Sequence, residues 1–422
     1  MRRITKRQLV DELQATRDQT LSWIAALQTH QFIVPYIETL NPPLWELGHL
    51  AWFQEYWCCR QRHAFTQSTP YPKHQPNPSI RFDADALYDS AKVAHQLRWN
   101  LPLPNLTQTK QFCQQTLNRT LNALENTGES DDDLYFFRLA LFHEKMHVEA
   151  FAYAWQALGY RAGSLGESIE QFNPLDASIC VEPTDLSITQ HTFLMGSQPN
   201  DGFVFDNEKW AHTVTLAPYR IQKQLVSYAD FFDFVKDDGY SRRQFWDVDY
   251  FVQLQKEHRT MPIYWHFADT TNDTTNDIKA VKDRARLPGS AGPLRVWRFG
   301  QLQNVALNDP VTHVSYFEAQ AFCKWAGRVL PTEAQWEFAA NTQPSMVWGG
   351  QVCEWTSTLF EPYKGFEADP YLEYSEPWFG NHQVIKGTSF VTPLGLAKPQ
   401  FRNFFTPQRN DIFVGFRTCA LP

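Results

Sequence analysis

Hydrophobic residues recur every three or four positions through the first third of the chain, which is the period of an amphipathic helix. The pattern covers residues 6–29, 44–62 and 107–127. The third of these helices is predicted to begin at Thr107, a residue type suited to an N-cap. A fourth helix is predicted from apolar residues at the same steps, which are Leu134, Phe137, Leu141, Val148, Phe151, Trp155 and Leu158. Four long helices joined by loops predict a helical bundle over residues 1–160.

After residue 160 the pattern changes to short runs that Gly, Pro and Asn separate. Strand-like runs occur at 192–195, 212–216 and 312–315. Helical patches are predicted at 227–237, at 315–327 and from Thr332 onward, whereas 266–300 is polar and loop-like. Neither a GxGxxG motif nor a P-loop is present, which argues against a nucleotide-binding enzyme. Residues 161–422 are therefore predicted to form an irregular α+β domain.

The composition narrows the classes of function. The 38 basic and 46 acidic side chains give a net charge of -8, which argues against a nucleic-acid or anionic-membrane surface. The start of the chain is charged and lacks the apolar core of a signal peptide, and no run has the roughly 18 apolar residues of a membrane span. The seven cysteines form no CxxC pair, so a cytoplasmic location is expected. The 63 aromatic residues, 15 Trp, 16 Tyr and 32 Phe, suit a pocket for a flat or cationic ligand.

Three histidines are candidates for a metal site. His143 and His147 lie four residues apart on the fourth predicted helix, so both imidazoles project from one face and can reach a single ion. His49 lies on a helix face with aromatic residues, which are Trp45, Trp52, Phe53 and Tyr56. The alternative is that the pair consists of ordinary helix histidines and that His49 is a core residue. A bundle that brings the second helix against the fourth would complete a three-histidine site.

The same stretch also contains HExxH, the signature of zinc hydrolases. In that interpretation Glu144 would activate water and Glu167 would be the third zinc ligand. Against it, glycines surround Glu167, and Glu144 lies on the apolar stripe about 100° around the helix from the histidines. Three histidines would leave zinc one open position and iron(II) up to three, and the residues alone do not choose between the two metals.

Motifs along nearly the whole chain resemble one enzyme family. Residues 41–55 and 143–149 resemble the DinB-like helical domain of ergothioneine-pathway sulfoxide synthases. The second half resembles the formylglycine-generating-enzyme domain, a variant of the C-type lectin fold, at 193–196, 205–208, 310–315, 330–337, 353–356 and 415–417. The resemblance implies a DinB-like four-helix bundle over 1–160 and a C-type-lectin-like domain over 161–422. It also implies nonheme Fe(II) bound by three histidines, His49, His143 and His147, with O2 as co-substrate.

The resemblance implies a reaction between small molecules, without nucleic acid or membrane. The family joins cysteine or γ-glutamylcysteine to C2 of the imidazole of hercynine, and its relative selenoneine synthase joins a selenosugar. Met146 stands where many sulfoxide synthases have Gln, and Arg98 is a single arginine where donor-binding arginines lie. These departures favour selenoneine synthase, with the sulfur reaction as the alternative. Formylglycine generation is not expected, because Thr392 stands where its first copper-binding cysteine would lie. A lectin-like binding module with structural histidines is a non-enzymatic alternative.

The resemblance also assigns site residues. Tyr374 is the first candidate for a proton-donating tyrosine, and Tyr88 in the loop between helices is the second. The segment from Arg402 to Phe405 resembles the part that holds the betaine group of hercynine, with Asn403 as the polar contact and Phe404 and Phe405 as an apolar wall. Core packing is the alternative for these two rings. The remaining predicted substrate-binding residues are Arg98, Met146, Trp378 and Phe379.

Overall fold

A computed structural model describes residues 2–60, 76–162, 184–267, 278–283 and 292–422. Within the first half, the helices are α1 (Lys6–Ala25), α2 (Pro43–Glu55), α3 (Ala84–Tyr88), α4 (Leu106–Glu125) and α5 (Asp131–Leu158). Helix α1 packs along α5, and α2 packs between α4 and α5. A π-helical turn, Tyr56–Arg60, follows α2 directly. The predicted bundle of four long helices is therefore present.

The helix ends follow from side-chain caps. The hydroxyl of Ser130 accepts a hydrogen bond from the Asp133 amide at the start of α5, and Gly159 ends this helix with a φ of 72°. The N-cap predicted for α4 at Thr107 is wrong. Asn105 takes this position, because its Oδ1 accepts from the Gln108 amide at 3.0 Å and Gln108 bonds back to the Asn105 amide.

The second half combines short helices with several small sheets. Its helices are α6 (Tyr228–Lys236), α7 (Val248–Lys256), α8 (Ile278–Asp283), α9 (Tyr316–Trp325) and α10 (Glu333–Thr342). Its strands are β1 (Asp185–Ile188), β2 (His191–Met195), β3 (His212–Leu216), β4 (Tyr219–Gln222), β5 (Trp265–Phe267), β6 (Leu294–Arg298), β7 (Gln301–Asn304), β8 (Arg328–Val329), β9 (Cys353–Leu359), β10 (Gln383–Lys386), β11 (Asn403–Phe405), β12 (Val414–Gly415) and β13 (Cys419–Ala420). The prediction that 266–300 is wholly loop-like is wrong, since β5 and β6 pair antiparallel there.

The strands form four sheets. Two have four strands each, in the orders β1-β4-β13-β8 and β11-β10-β9-β12, and β5-β6-β7 form a third. The hairpin β2-β3 is the fourth. Most neighbouring strands are antiparallel, while β12 runs parallel to β9. The core between the helices and sheets of this half is rich in buried rings, such as Phe231, Trp265 and Trp355.

The first residues of the chain connect the bundle to the second half. The guanidinium of Arg2 donates to both carboxylate oxygens of Glu208, at 2.7 and 2.9 Å, and both side chains are fully buried. The same guanidinium lies 5.2–5.6 Å from the ring centroids of Phe142, Phe205 and Phe401. These contacts hold α5 against the second half. The domain boundary at residue 160 stays a prediction, because 163–183 lie outside the described residues. Within the described residues, no helix combines the length and the hydrophobicity that a bilayer span requires.

Candidate metal centre

Three imidazoles meet where α2 crosses α5. His49 comes from α2, and His143 and His147 come from successive turns of α5. One ligand nitrogen of each lies within 4.8 Å of the others. The ring centroids of His143 and His147 are 4.5 Å apart, and both are little more than 5 Å from that of His49. Since metal–imidazole bonds are about 2 Å long, one ion can reach all three nitrogens after small side-chain adjustments.

Hydrogen bonds orient two of the three rings. Nδ1 of His49 lies 2.9 Å from the carbonyl oxygen of Tyr88, and Nδ1 of His147 lies 2.7 Å from Oε1 of Glu46. An imidazole whose Nδ1–H donates to an oxygen presents the lone pair of Nε2 on its opposite edge. The donor set therefore fits a transition-metal ion that prefers imidazole.

Aromatic rings enclose the histidines. The ring of Phe53 lies parallel to that of His143 with 3.5 Å between centroids, and Trp45 stacks on His49 at 5.0 Å. Burial lowers the pKa of His49 to about 3, with the nearby His147 contributing in the same direction. Burial also lowers the pKa of His143 well below its usual value. Burial therefore favours the neutral form of both rings, which is the form that binds a metal.

The glutamate of the HExxH string faces away from this centre. Glu144 accepts from Nε and Nη2 of Arg17, at 2.6 and 2.9 Å, and from the hydroxyl of Thr20 at 2.9 Å. Both carboxylate oxygens are thus bonded to α1 in a buried site. The role proposed for Glu144 in a hydrolase is wrong, because its carboxylate is held by an arginine. Glu167, the third ligand in that interpretation, lies outside the described residues.

Tyr88, the second candidate for the proton donor, does not offer its hydroxyl to the histidines. Its ring packs between α2 and α4, where a Cβ on Gly48 would overlap it, and it stacks with Phe112. Its backbone carbonyl contacts His49 instead. These contacts give no support to Tyr88 as a proton donor, and this role stays a prediction.

Two tyrosines of the second half approach the centre. The hydroxyl of Tyr374 donates to the sulfur of Met146 at 3.5 Å, so both predicted residues lie beside the histidine helix. Tyr371 is nearer to the histidines: its ring is edge-on to that of His143, with 5.8 Å between centroids. It also contacts Phe53, at 4.9 Å. Tyr371 was not among the predicted site residues, because it lies in a loop whose local sequence pattern does not indicate this contact.

Arg98 lies next to the same centre. Its guanidinium stacks 4.0 Å over the ring of Trp45, which in turn stacks on His49. It donates to Oδ1 of Asn41 at 2.7 Å. Burial lowers the pKa of Arg98 to about 10, while the nearby Glu46 and Tyr371 act in the opposite direction. The partly buried guanidinium of Arg98 and the imidazole of His49 thus both contact the ring of Trp45.

Arg402 is not free to bind a substrate. Its Nε and Nη2 donate to the two carboxylate oxygens of Glu333 at 2.9 and 3.1 Å, and Nη1 donates to the carbonyl of Asn207. The guanidinium also lies 4.1 Å over the ring of Tyr363, and the side chain is almost fully buried. An internal ion pair thus occupies the guanidinium of Arg402, so its contacts give no support to the predicted substrate-binding role, which stays a prediction.

The neighbouring residues of β11 are divided between two faces of the strand. Phe404 stacks on Phe360 at 4.0 Å, whereas Phe405 contacts Tyr153 of α5 at 6.1 Å. Successive residues of a strand point to opposite faces, so the two Phe rings do not form one continuous wall. This corrects the predicted arrangement of Phe404 and Phe405. Oδ1 of Asn403 accepts from the amide of Phe404.

Trp378 and Phe379 follow Tyr374 in the connection between β9 and β10. Trp378 is 42% exposed and its ring contacts His382 at 5.3 Å. The ring of Phe379 packs on Phe360 at 4.8 Å. Neither side chain contacts the three histidines in the part of the chain that the structure describes, so their predicted role in substrate binding stays a prediction.

Comparison with known proteins places this architecture in a family. The model of the sulfatase-modifying factor enzyme 1-like domain matches residues 177–349 and 346–420, which is more than half of the chain. The chain belongs to this family. The DinB superfamily model matches residues 12–155. The predicted combination of a DinB-like domain with a formylglycine-generating-enzyme-like domain, as in the two-domain family of the resemblance, is therefore confirmed.

Several known proteins are similar to the chain. Hercynine oxygenase of Mycolicibacterium smegmatis is 26% identical, over 98% of this chain and 99% of that protein. Hercynine oxygenase of Mycobacterium tuberculosis is 27% identical, over 97% and 98% respectively. The formylglycine-generating enzyme of Thermomonospora curvata is 30% identical, over 40% of this chain and 52% of that protein. The solved structure of PvdO from Pseudomonas aeruginosa covers 56% of this chain at 15% identity with a TM-score of 0.36, too low to support a functional conclusion.

Proposed function

We propose that this chain is an Fe(II)- and O2-dependent oxygenase that acts on hercynine and joins selenium or sulfur to C2 of its imidazole ring. One observation carries the proposal: His49, His143 and His147 converge on one point in a chain that aligns over 97–98% of its length with two hercynine oxygenases. Neutral imidazoles suit iron(II), and when bound, this ion would keep up to three exchangeable positions for two substrates and O2.

Rings of both halves of the chain would hold hercynine. Phe53, Tyr371 and Tyr374 line one side of the histidine cluster, and Phe404 lies 6.1 Å from Tyr374. Faces of aromatic rings attract quaternary ammonium groups, by about 2 kcal/mol where water is excluded. The trimethylammonium group of hercynine is therefore expected to lie among these rings, with its imidazole toward the histidines.

Tyr371 is the tyrosine that we assign to proton donation. Its ring is the one edge-on to His143, and burial raises the pKa of its hydroxyl, so the group keeps its proton at neutral pH. A protonated hydroxyl beside the reacting atoms can deliver a proton as carbon–chalcogen bonding proceeds. Tyr374, three residues after Tyr371, would contact the substrate from its position beside Met146.

Arg98 is assigned to the donor substrate. Its guanidinium retains donors beyond those that bind Asn41 and the carbonyl of Val93. A single guanidinium suits a donor with few negative charges, and the thioether of Met146 is a soft, uncharged neighbour. On these grounds a selenosugar is the donor we propose first, and cysteine or γ-glutamylcysteine is the alternative.

The experiment uses the purified full chain, loaded without oxygen with Fe(II) or with Zn(II). Hercynine, O2 and one donor at a time are then supplied, and the products are identified by mass spectrometry. We expect product from the Fe(II)-loaded protein and none from the Zn(II)-loaded protein. The product should be lost in His49→Ala but not in His191→Ala, which alters a histidine on β2 that packs on Phe338. Product with the selenosugar alone would support selenium, and product with a thiol alone would support sulfur. Failure to bind metal, with His49→Ala changing stability only, would favour the lectin-like binding module.

A further inference from the structure

Glu46 lies beside the histidine cluster in the first turn of α2. It precedes His49 by three residues, so both side chains project from neighbouring positions on one face of the helix. Glu46 is 2% exposed, and its Oε1 lies 2.7 Å from Nδ1 of His147 on α5. This hydrogen bond joins the two helices that supply all three candidate ligands.

We propose that Glu46 is a positioning residue for the metal: its carboxylate accepts the Nδ1–H of His147 and thereby directs the Nε2 lone pair of this ring toward the ion. The inference rests on the proposed function, because it gives Glu46 a role only if the three histidines bind metal.

The chemistry of the imidazole supports this role. A neutral ring carries one hydrogen, and an acceptor at Nδ1 keeps that hydrogen away from the nitrogen that would bind the metal. A carboxylate acceptor also increases the electron-donating strength of the ring. His49 is held by the neutral carbonyl of Tyr88, so Glu46 supplies the one negative charge that contacts a candidate ligand within the described residues. This charge lies opposite a site where an ion of charge +2 would bind.

A purely structural ion pair between Glu46 and a protonated His147 is the competing explanation. It predicts that replacing Glu46 lowers the stability of the fold without a specific effect on metal binding. A positioning role predicts a weaker and spectroscopically altered metal site even in protein that is fully folded. Metal affinity and stability therefore have to be measured on the same variants.

The experiment compares Glu46→Ala and Glu46→Gln with the unmodified chain and with Glu55→Gln. Glu55 is a matched control, because it is a fully buried glutamate of the same helix that binds Arg119 and not a histidine. Each purified full-length protein is titrated with Fe(II) without oxygen, in competition with a coloured chelator. Co(II) is used in parallel, since its visible absorption reports on the geometry of the ligands. Circular dichroism establishes that each variant is folded.

We expect the dissociation constant for Fe(II) to rise about 10- to 100-fold in Glu46→Ala and less in Glu46→Gln, which keeps an acceptor oxygen. The Co(II) absorption bands should shift in Glu46→Ala, while Glu55→Gln should match the unmodified chain. Folded Glu46 variants that bind Fe(II) as tightly as the unmodified chain would overturn the inference and leave the proposed function standing. An unmodified chain that binds neither metal would overturn both.

Discussion

The buried ion pair between Arg17 and Glu144 is expected to stabilise the bundle strongly. Both side chains are 2–3% exposed, and two hydrogen bonds of 2.6 and 2.9 Å join them. Arg17 also donates to Oε1 of Gln54 and to the carbonyl of Cys113, so this one guanidinium connects α1, α2, α4 and α5. Glu144→Ala would leave the arginine without its counter-charge in the core.

Removal of one partner from a buried ion pair costs about 3–5 kcal/mol of unfolding free energy. For a domain of about 150 residues, each kcal/mol shifts the midpoint of thermal unfolding by about 2–4 °C, so we expect a decrease of roughly 6–20 °C. The assay is thermal unfolding of the metal-free protein, followed by helical circular dichroism. Glu12→Ala is the control, because the carboxylate of Glu12 is 44% exposed in its pair with Lys145. Its removal should lower the free energy of unfolding by at most about 1 kcal/mol.

The hydrolase alternative predicts the opposite result, since a catalytic Glu144 could be replaced at little cost to stability. A midpoint within about 2 °C of the unmodified chain, together with loss of a zinc-dependent hydrolysis, would refute the reasoning. A double variant tests the cause: Arg17→Met with Glu144→Leu removes both charges and should be more stable than Glu144→Ala alone.

Three further predictions follow from the packing and the electrostatics. Gly48→Ala should lower the free energy of unfolding by about 1–3 kcal/mol, because the added methyl group overlaps the Tyr88 ring. It should also weaken Fe(II) binding, because the Tyr88 carbonyl holds His49. Thermal unfolding measures the first effect and chelator competition measures the second. Tyr371→Phe should abolish the carbon–chalcogen product while leaving the affinity for Fe(II) intact. Tyr88→Phe should leave product formation unchanged. A product assay and an Fe(II) titration on both variants test these expectations. Burial lowers the pKa of His313 in the folded chain to about 3, whereas its pKa in the unfolded chain is about 6.5. Between these two values only the unfolded chain takes up the proton, so the free energy of unfolding falls as the pH falls. His313→Asn should therefore remove about 2 kcal/mol of the stability lost between pH 7 and pH 5 in denaturant titrations, and an unchanged loss would contradict this assignment.

Local pattern was sufficient to predict the helices and the spacing of two histidines. The period of apolar residues predicts α5 almost to its ends, because its cap at Ser130 and its stop at Gly159 are themselves local signals. It placed the cap of α4 at Thr107 and not at Asn105, because both side chains can accept the required hydrogen bond. The strand at 294–298 was missed because it is short and its partners are other short strands.

Side-chain roles in the second half depend on contacts between distant residues. Arg402 looked like a substrate ligand by motif position, but Glu333, 69 residues earlier, binds its guanidinium. Tyr371 and Tyr374 lie in a loop without periodicity, so nothing in the local pattern indicates which ring turns toward His143. Such roles follow from tertiary packing, and only a three-dimensional structure separates them.

The two glutamates beside the histidines have similar positions in the sequence but different partners in the fold. Glu144 directly follows His143, so it lies about 100° around α5, which turns its carboxylate to Arg17 and away from the cluster. Glu46 precedes His49 by three residues, about 60° around α2, and its carboxylate reaches His147. Glu144 also precedes a histidine, His147, by three residues, so sequence spacing alone does not separate the two glutamates. Their partners do, since Glu144 binds Arg17 and Glu46 binds Nδ1 of His147.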